Sequence, residues 1–171
     1  WRPDAPQTRE LRLLAEYRRD AVDQRTRVSN QLTAVLKLYF PQALQLLGDN
    51  LHAAQACDFL SKWTTLEAAQ KASVDSLRKF YWSHNCRSGE RIQERLDLVK
   101  SAIPLTRDEA IILSSVLRVR CLVGQLRALT KSIADFELRI KQLMQQHPDA
   151  SLFTELPGAG PALAPRLLTA F

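Results

Sequence analysis

The chain has 171 residues, 46% of them hydrophobic, and carries a net charge of +6, which suits one domain or an extended one with a smaller module attached. Only five glycines and no run of alternating β-branched residues exclude sheet-rich classes and point to an all-α chain. No apolar stretch approaches the roughly 18 residues of a membrane span, no secretory signal is visible, and three scattered cysteines (Cys57, Cys86, Cys121) suit a reducing cytoplasm better than a disulfide framework.

Residues 1–6 form an extended lead-in, with Asp4 and Gln7 spaced as an N-terminal cap. The pattern over 7–40 predicts a first long helix, its stripe built from Leu11, Leu14, Ala21, Val28, Leu32, Val35 and Tyr39. Arg18 and Arg25 interrupt that stripe. Two readings fit them: stems packed with heads in solvent, or a phosphate ladder with Arg19, Arg27, Asn30 and Lys37, since a guanidinium fork takes two phosphate oxygens at once. Pro41 ends the helix and Gly48-Asp49-Asn50 marks a turn.

Residues 41–105 then predict a compact insertion of short helices over 51–61, 65–72, 73–83 and 88–102, stopped at Ile103-Pro104. Inside it, the segment 78–87 interleaves Arg78, Lys79, His84 and Arg87 with Phe80, Tyr81 and Trp82. Cations that neutralise phosphate beside aromatic faces that stack on bases suit single-stranded nucleic acid, with Arg78, Lys79, Tyr81 and Arg87 as contacts. The alternative is a core aromatic pair with solvated cations.

A second long helix is expected over 106–147. Thr106 to Glu109 has the form of a capping box. A heptad follows, with Ile112, Val119, Leu126, Ile133 and Ile140 on one seam and Ser115, Leu122, Leu129, Phe136 and Leu143 on the other. Five repeats of this period imply a left-handed supercoil. The simplest mate is the first long helix, folded back as an antiparallel coiled-coil hairpin, although the same seam (Ile112, Val119, Leu122, Leu126, Leu129, Ile133, Phe136, Ile140, Leu143) could also join copies of the chain. His147-Pro148 ends the helix. In 148–171 the run from Leu156 to Ala164 resembles the start of a helix-hairpin-helix module, with Gly158 and Gly160 permitting a turn that aims amides at phosphate. The alternative is an ordinary helix–helix turn.

No catalytic constellation emerges. His84 and Cys86 are too few for a zinc site, and no phosphate loop, HExxH or serine elbow occurs. The basic excess is spread along the chain, as suits a protein lying on a polyanion or one with a merely soluble basic surface. The chain opens at Trp1 without methionine and stops at Phe171 within an apolar, helix-like run, the pattern of a piece of a longer protein.

Several of these features recur together in one group. Trp1-Arg2-Pro3-Asp4, Arg18-Arg19-Asp20 through Arg25-Thr26-Arg27 and Asn30, Tyr39-Phe40-Pro41 and the closing Leu156-Pro157-Gly158-Ala159-Gly160-Pro161 resemble the middle of a DEDD-type bacterial insertion-sequence transposase, the bridge-RNA-guided recombinases. The resemblance covers essentially the whole chain and is loosest across 51–103. It implies that 1–6 leave a RuvC-like domain whose acids bind a divalent metal (Mg). It further implies that 7–147 form a coiled-coil domain that assembles a dimer or tetramer and helps hold guide RNA and DNA, and that 148–171 open a domain carrying a nucleophilic serine. No catalytic, metal or cofactor residue is then expected within these residues. A purely structural spacer and a protein–protein scaffold are the competing readings.

Overall fold

A computed structural model describes residues 5–147 and 160–169. The helices are α1 (Pro6–Tyr39), α2 (Gln42–Leu47), α3 (Ala54–Lys62), α4 (Leu66–Lys71), α5 (Val74–Ser83), α6 (Gly89–Ser101), α7 (Glu109–Gln146) and α8 (Ala164–Leu168). The protein is all-α, with no strand among the described residues.

Local chemistry sets most helix starts. The hydroxyls of Thr65, Ser73 and Ser88 accept the backbone N–H groups of Ala68, Ser76 and Arg91, so each satisfies an orphan donor of the helix that follows. The second long helix departs from expectation here. It opens at Glu109, because the Asp108 carboxylate accepts the amides of Ala110 (2.9 Å) and Ile111 (3.4 Å). Thr106 instead accepts the Asp108 amide at 3.1 Å and stays outside the helix. The segment after Pro41, expected only to lead into a turn, forms α2. Pro41 sits in helical backbone (φ −62°, ψ −26°), which its ring favours at a helix start. Gly48 at φ 71° then ends α2 in a conformation that glycine takes without penalty.

The chain divides into two compact units. One comprises 25–128, and the other 1–24 with 129–171.

In the 25–128 unit, Leu32 and Leu36 of α1 and Val119, Leu122, Val123 and Leu126 of α7 join the short helices in one core. Phe59, Trp63, Phe80 and Tyr81 form its aromatic centre, with neighbouring ring centroids 5.2–5.8 Å apart in mostly edge-on geometry, the arrangement their quadrupoles favour. Two polar side chains of this unit are tied to backbone carbonyls. Tyr39 donates its hydroxyl to the Thr64 carbonyl at 2.6 Å. Gln70 donates to the carbonyls of Val99 (3.0 Å) and Ala102 (2.8 Å), which caps the end of α6.

The other unit has a smaller described core: Leu11, Ile140, Leu143, Met144, Ala164 and Leu168. Its portions of α1 and α7 pair in opposite directions, with Glu10 on Arg139 and Arg18 on Glu137, and Tyr17 lies 6.4 Å from Phe136. Along α7, Val119, Leu122, Leu126, Ile133, Ile140 and Leu143 are buried, as is Ser115, while Ile112, Leu129 and Phe136 are half-buried.

Candidate nucleic-acid interface

The boundary between the units falls at Gln24–Arg25, so the expected arginine ladder on α1 is divided. In the 1–24/129–171 unit, Arg18 is half-buried and holds Glu137 of α7 through Nη2 (2.6 Å) and Nε (2.8 Å). Its place on the stripe follows from this ion pair, which neither sequence reading contained. Arg19 is exposed, and its side chain makes no hydrogen bond or ion pair among the described residues. In the 25–128 unit, Arg27, Asn30 and Lys37 are exposed and Arg25 is half-buried near His52. Burial, and then the charge of Arg25, lower the His52 pKa.

Arg18 and Arg19 also line a recess of about 190 Å³ together with Ala15, Ile140, Pro161, Ala162, Pro165 and Arg166. Three arginines therefore share one lining that contains no carboxylate among the described residues. Ala15, Ile140 and Pro165 supply buried apolar wall. Arg166 is exposed and, like that of Arg19, its side chain makes no hydrogen bond or ion pair among the described residues. Sequence reasoning passed over Arg166, because nothing local in the α8 sequence announces that it meets α1.

The segment 78–87 resolves into inside and outside. Leu77, Phe80, Tyr81 and His84 follow helical spacing and face inward, whereas Trp82 is 56% exposed. Tyr81, expected to stack on bases, is corrected: its ring is 1% exposed, packed on Phe80 and covered by the Arg95 guanidinium at 4.8 Å. Burial pushes its phenol up to about 12, against the opposing charge of Arg95. The exposed aromatic face is Trp82, and helical periodicity would have separated the two. Arg78, Lys79 and Arg87 lie at the surface, Arg78 bonded to Gln93 at 3.3 Å.

His84 serves the core edge. Its Nε2 faces the Asp58 carboxylate at 3.0 Å and its Nδ1 the Phe80 carbonyl at 2.9 Å. Both partners only accept, so the doubly protonated ring fits them best. Burial lowers its pKa, but the Phe80 carbonyl and Asp58 outweigh burial and hold it above the ordinary histidine value. Asp58 also takes Arg127 of α7 at 2.6 Å, joining α3, α5 and α7.

In the tail, Gly158 lies outside the described residues. Gly160 is exposed, a Cβ there would meet nothing within 4 Å, and its φ is not in the left-handed region. Its carbonyl accepts the amides of Leu163 (2.9 Å) and Ala164 (3.0 Å), so its described role is to start α8 through backbone that other residues could also adopt. Among the described residues, no group of three or more His, Cys, Asp or Glu side chains could hold a metal ion, and no helix is long and apolar enough to cross a membrane.

Similarity to known proteins points in one direction. Residues 1–41 match the model of the IS110-type DEDD family, described as a transposase. Over 165 residues the chain is 26% identical to the insertion element IS110 uncharacterized 43.6 kDa protein of Streptomyces coelicolor, covering 94% of this chain and 39% of that protein. Over 157 residues it is 27% identical to the insertion element IS116 uncharacterized 44.8 kDa protein of Streptomyces clavuligerus, covering 90% and 38% respectively. The chain thus spans about two-fifths of the length of these relatives. No solved structure matches it.

Proposed function

We propose that this chain is the nucleic-acid-binding and assembly region of a bacterial insertion-sequence transposase, one that moves its element by RNA-guided DNA recombination. The observation that carries the reading is the transposase-family match over residues 1–41, which contains the arginine segment of α1. The relatives extend the similarity over nearly all of the chain. Guide RNA and DNA are the proposed partners, and a dimer or tetramer is the proposed assembly. The reaction would be carried out by groups outside these residues: a divalent metal held by a RuvC-like acidic set, and a serine nucleophile. Within this chain the work is to hold and position, with exposed cations meeting phosphate and Trp82 offering a face to an unpaired base.

The spacer reading has one observation in its favour. Tyr81 and Arg18, two of the expected contacts, serve the protein's own packing instead. RNA binding at two salt concentrations separates the readings, with the element's own non-coding RNA beside a scrambled control. Tight, salt-sensitive binding that prefers the native RNA is expected. Absence of binding at low salt would sink the proposal and leave a spacer.

A further inference from the structure

We infer that the recess between α1, α7 and α8 seats one backbone phosphodiester with its sugar, and that Arg166 is a nucleic-acid contact equal in weight to Arg19. The inference rests on the nucleic-acid reading above and adds to it a site, a new residue and a mode of recognition.

The charge distribution comes first. Among the described residues the lining carries three arginines and no carboxylate. Arg18 is held by Glu137 just outside the lining, which leaves Arg19 and Arg166 uncompensated among the described side chains. A monoanion would therefore meet two unsatisfied guanidinium groups, each able to present a fork of donors to phosphate oxygens. The Arg18–Glu137 pair joins α1 to α7 at the edge of the recess and so holds the wall rather than the ligand.

Size and polarity then choose the ligand. About 190 Å³ holds the equivalent of roughly six waters, and falls below the roughly 300–1,000 Å³ of sites that enclose a whole drug-sized molecule. That is room for a phosphate and an attached sugar, with Ala15, Ile140 and Pro165 against the sugar's apolar edge. Among the described residues the only side-chain polar groups in the lining are arginine guanidiniums. Contacts of this kind set register on a strand without reading its sequence.

The test is fluorescence anisotropy with the full chain and labelled single-stranded RNA, both the element's own non-coding sequence and a scrambled one, over a series of salt concentrations. Arg166→Gln and Arg19→Gln each remove an exposed side chain that makes no internal hydrogen bond or ion pair among the described residues, so the fold is expected to survive and circular dichroism checks it. Arg91→Gln, an exposed α6 cation in the other unit, controls for loss of a charge as such. For each phosphate that a variant no longer neutralises, the slope of log affinity against log salt becomes shallower by about 0.7. Arg166→Gln is expected to show this change equally on both RNAs, Arg19→Gln the same, and Arg91→Gln none. If wild type binds and Arg166→Gln behaves like Arg91→Gln, the recess is not a phosphate site while the nucleic-acid reading stands. If wild type binds neither RNA at low salt, both fall. A weakening confined to the native RNA would overturn sequence-independent seating and make Arg166 a base reader.

Discussion

The two units of this protein are stabilised by different means. The 25–128 unit gathers 24 buried residues around an aromatic centre. The described core of the other unit has six residues. Beside that core stand the inter-helix ion pairs of Glu10 with Arg139 and Arg18 with Glu137, and three arginines around one recess. Apolar burial is insensitive to salt screening and dominates stability, whereas exposed ion pairs contribute little and are screened. Apolar burial therefore carries the larger unit, while in the smaller one solvated ion pairs stand beside the described core.

The sharpest way to break this comparison is to open each core. Phe59 is fully buried between Trp63 and Phe80, so Phe59→Ala is expected to cost about 3–5 kcal/mol, the usual cost of emptying an aromatic site. Urea denaturation read by tryptophan fluorescence measures it. Leu143→Ala in the smaller unit should cost about 2 kcal/mol, near the low end for a buried leucine. Equal destabilisation by the two substitutions would contradict the greater reliance of the larger unit on apolar burial. Leu122 and Leu126 lie on the proposed oligomer seam yet are 0% exposed within the chain. Alanine at either should therefore lower stability at every protein concentration, whereas a seam shared between copies would make the effect depend on concentration.

Much of this architecture was legible in the sequence, and the misses have physical causes. The helix starts near 65, 73 and 88 were legible as bounds, and the caps found there at Thr65, Ser73 and Ser88 act within four residues. The start at Asp108 was misplaced because Thr106 is also a good cap, and only geometry decides which oxygen meets the helix amides. Tyr81 and Trp82 were exchanged because cation–aromatic interleaving was weighed above helical spacing. Arg18 with Glu137, and Arg166 with Arg19, were out of reach. These partners are more than a hundred residues apart in sequence and meet only through tertiary packing.

A smaller effect should come from His84 in the larger unit. Its pKa is held above the ordinary value of about 6.5. Its interaction with Asp58 and Phe80 therefore stabilises fully below about pH 6.5 and fades as pH rises through the folded-state value. Melting temperature followed from pH 6 to 8 should fall in the wild type by more than in His84→Gln, which retains a donor for Asp58 but does not titrate. Parallel curves would mean that the imidazolium adds nothing to the join between α3, α5 and α7.

The smallest effect sharpens the comparison most. Arg139 grips Glu10 through two nitrogens, Nε to Oε1 at 2.7 Å and Nη2 to Oε2 at 3.1 Å, a fork geometry at the favourable end for surface pairs. Hydrogen bond and carboxylate charge together hold the Arg139 pKa above its usual value. The pair is nevertheless solvated, so Glu10→Gln should lower the melting temperature only slightly in dilute buffer. At 1 M salt the screening length falls to about 3 Å, and the difference should disappear. The Leu143→Ala deficit should persist there, since salt does not screen apolar burial. Hydrogen exchange of the α7 amides near Arg139 reads both substitutions in the unit concerned. If the Glu10→Gln effect outlasts high salt, the pair acts by ordering α1 against α7 rather than by charge. The smaller unit would then draw part of its stability from hydrogen-bond geometry beside its described core.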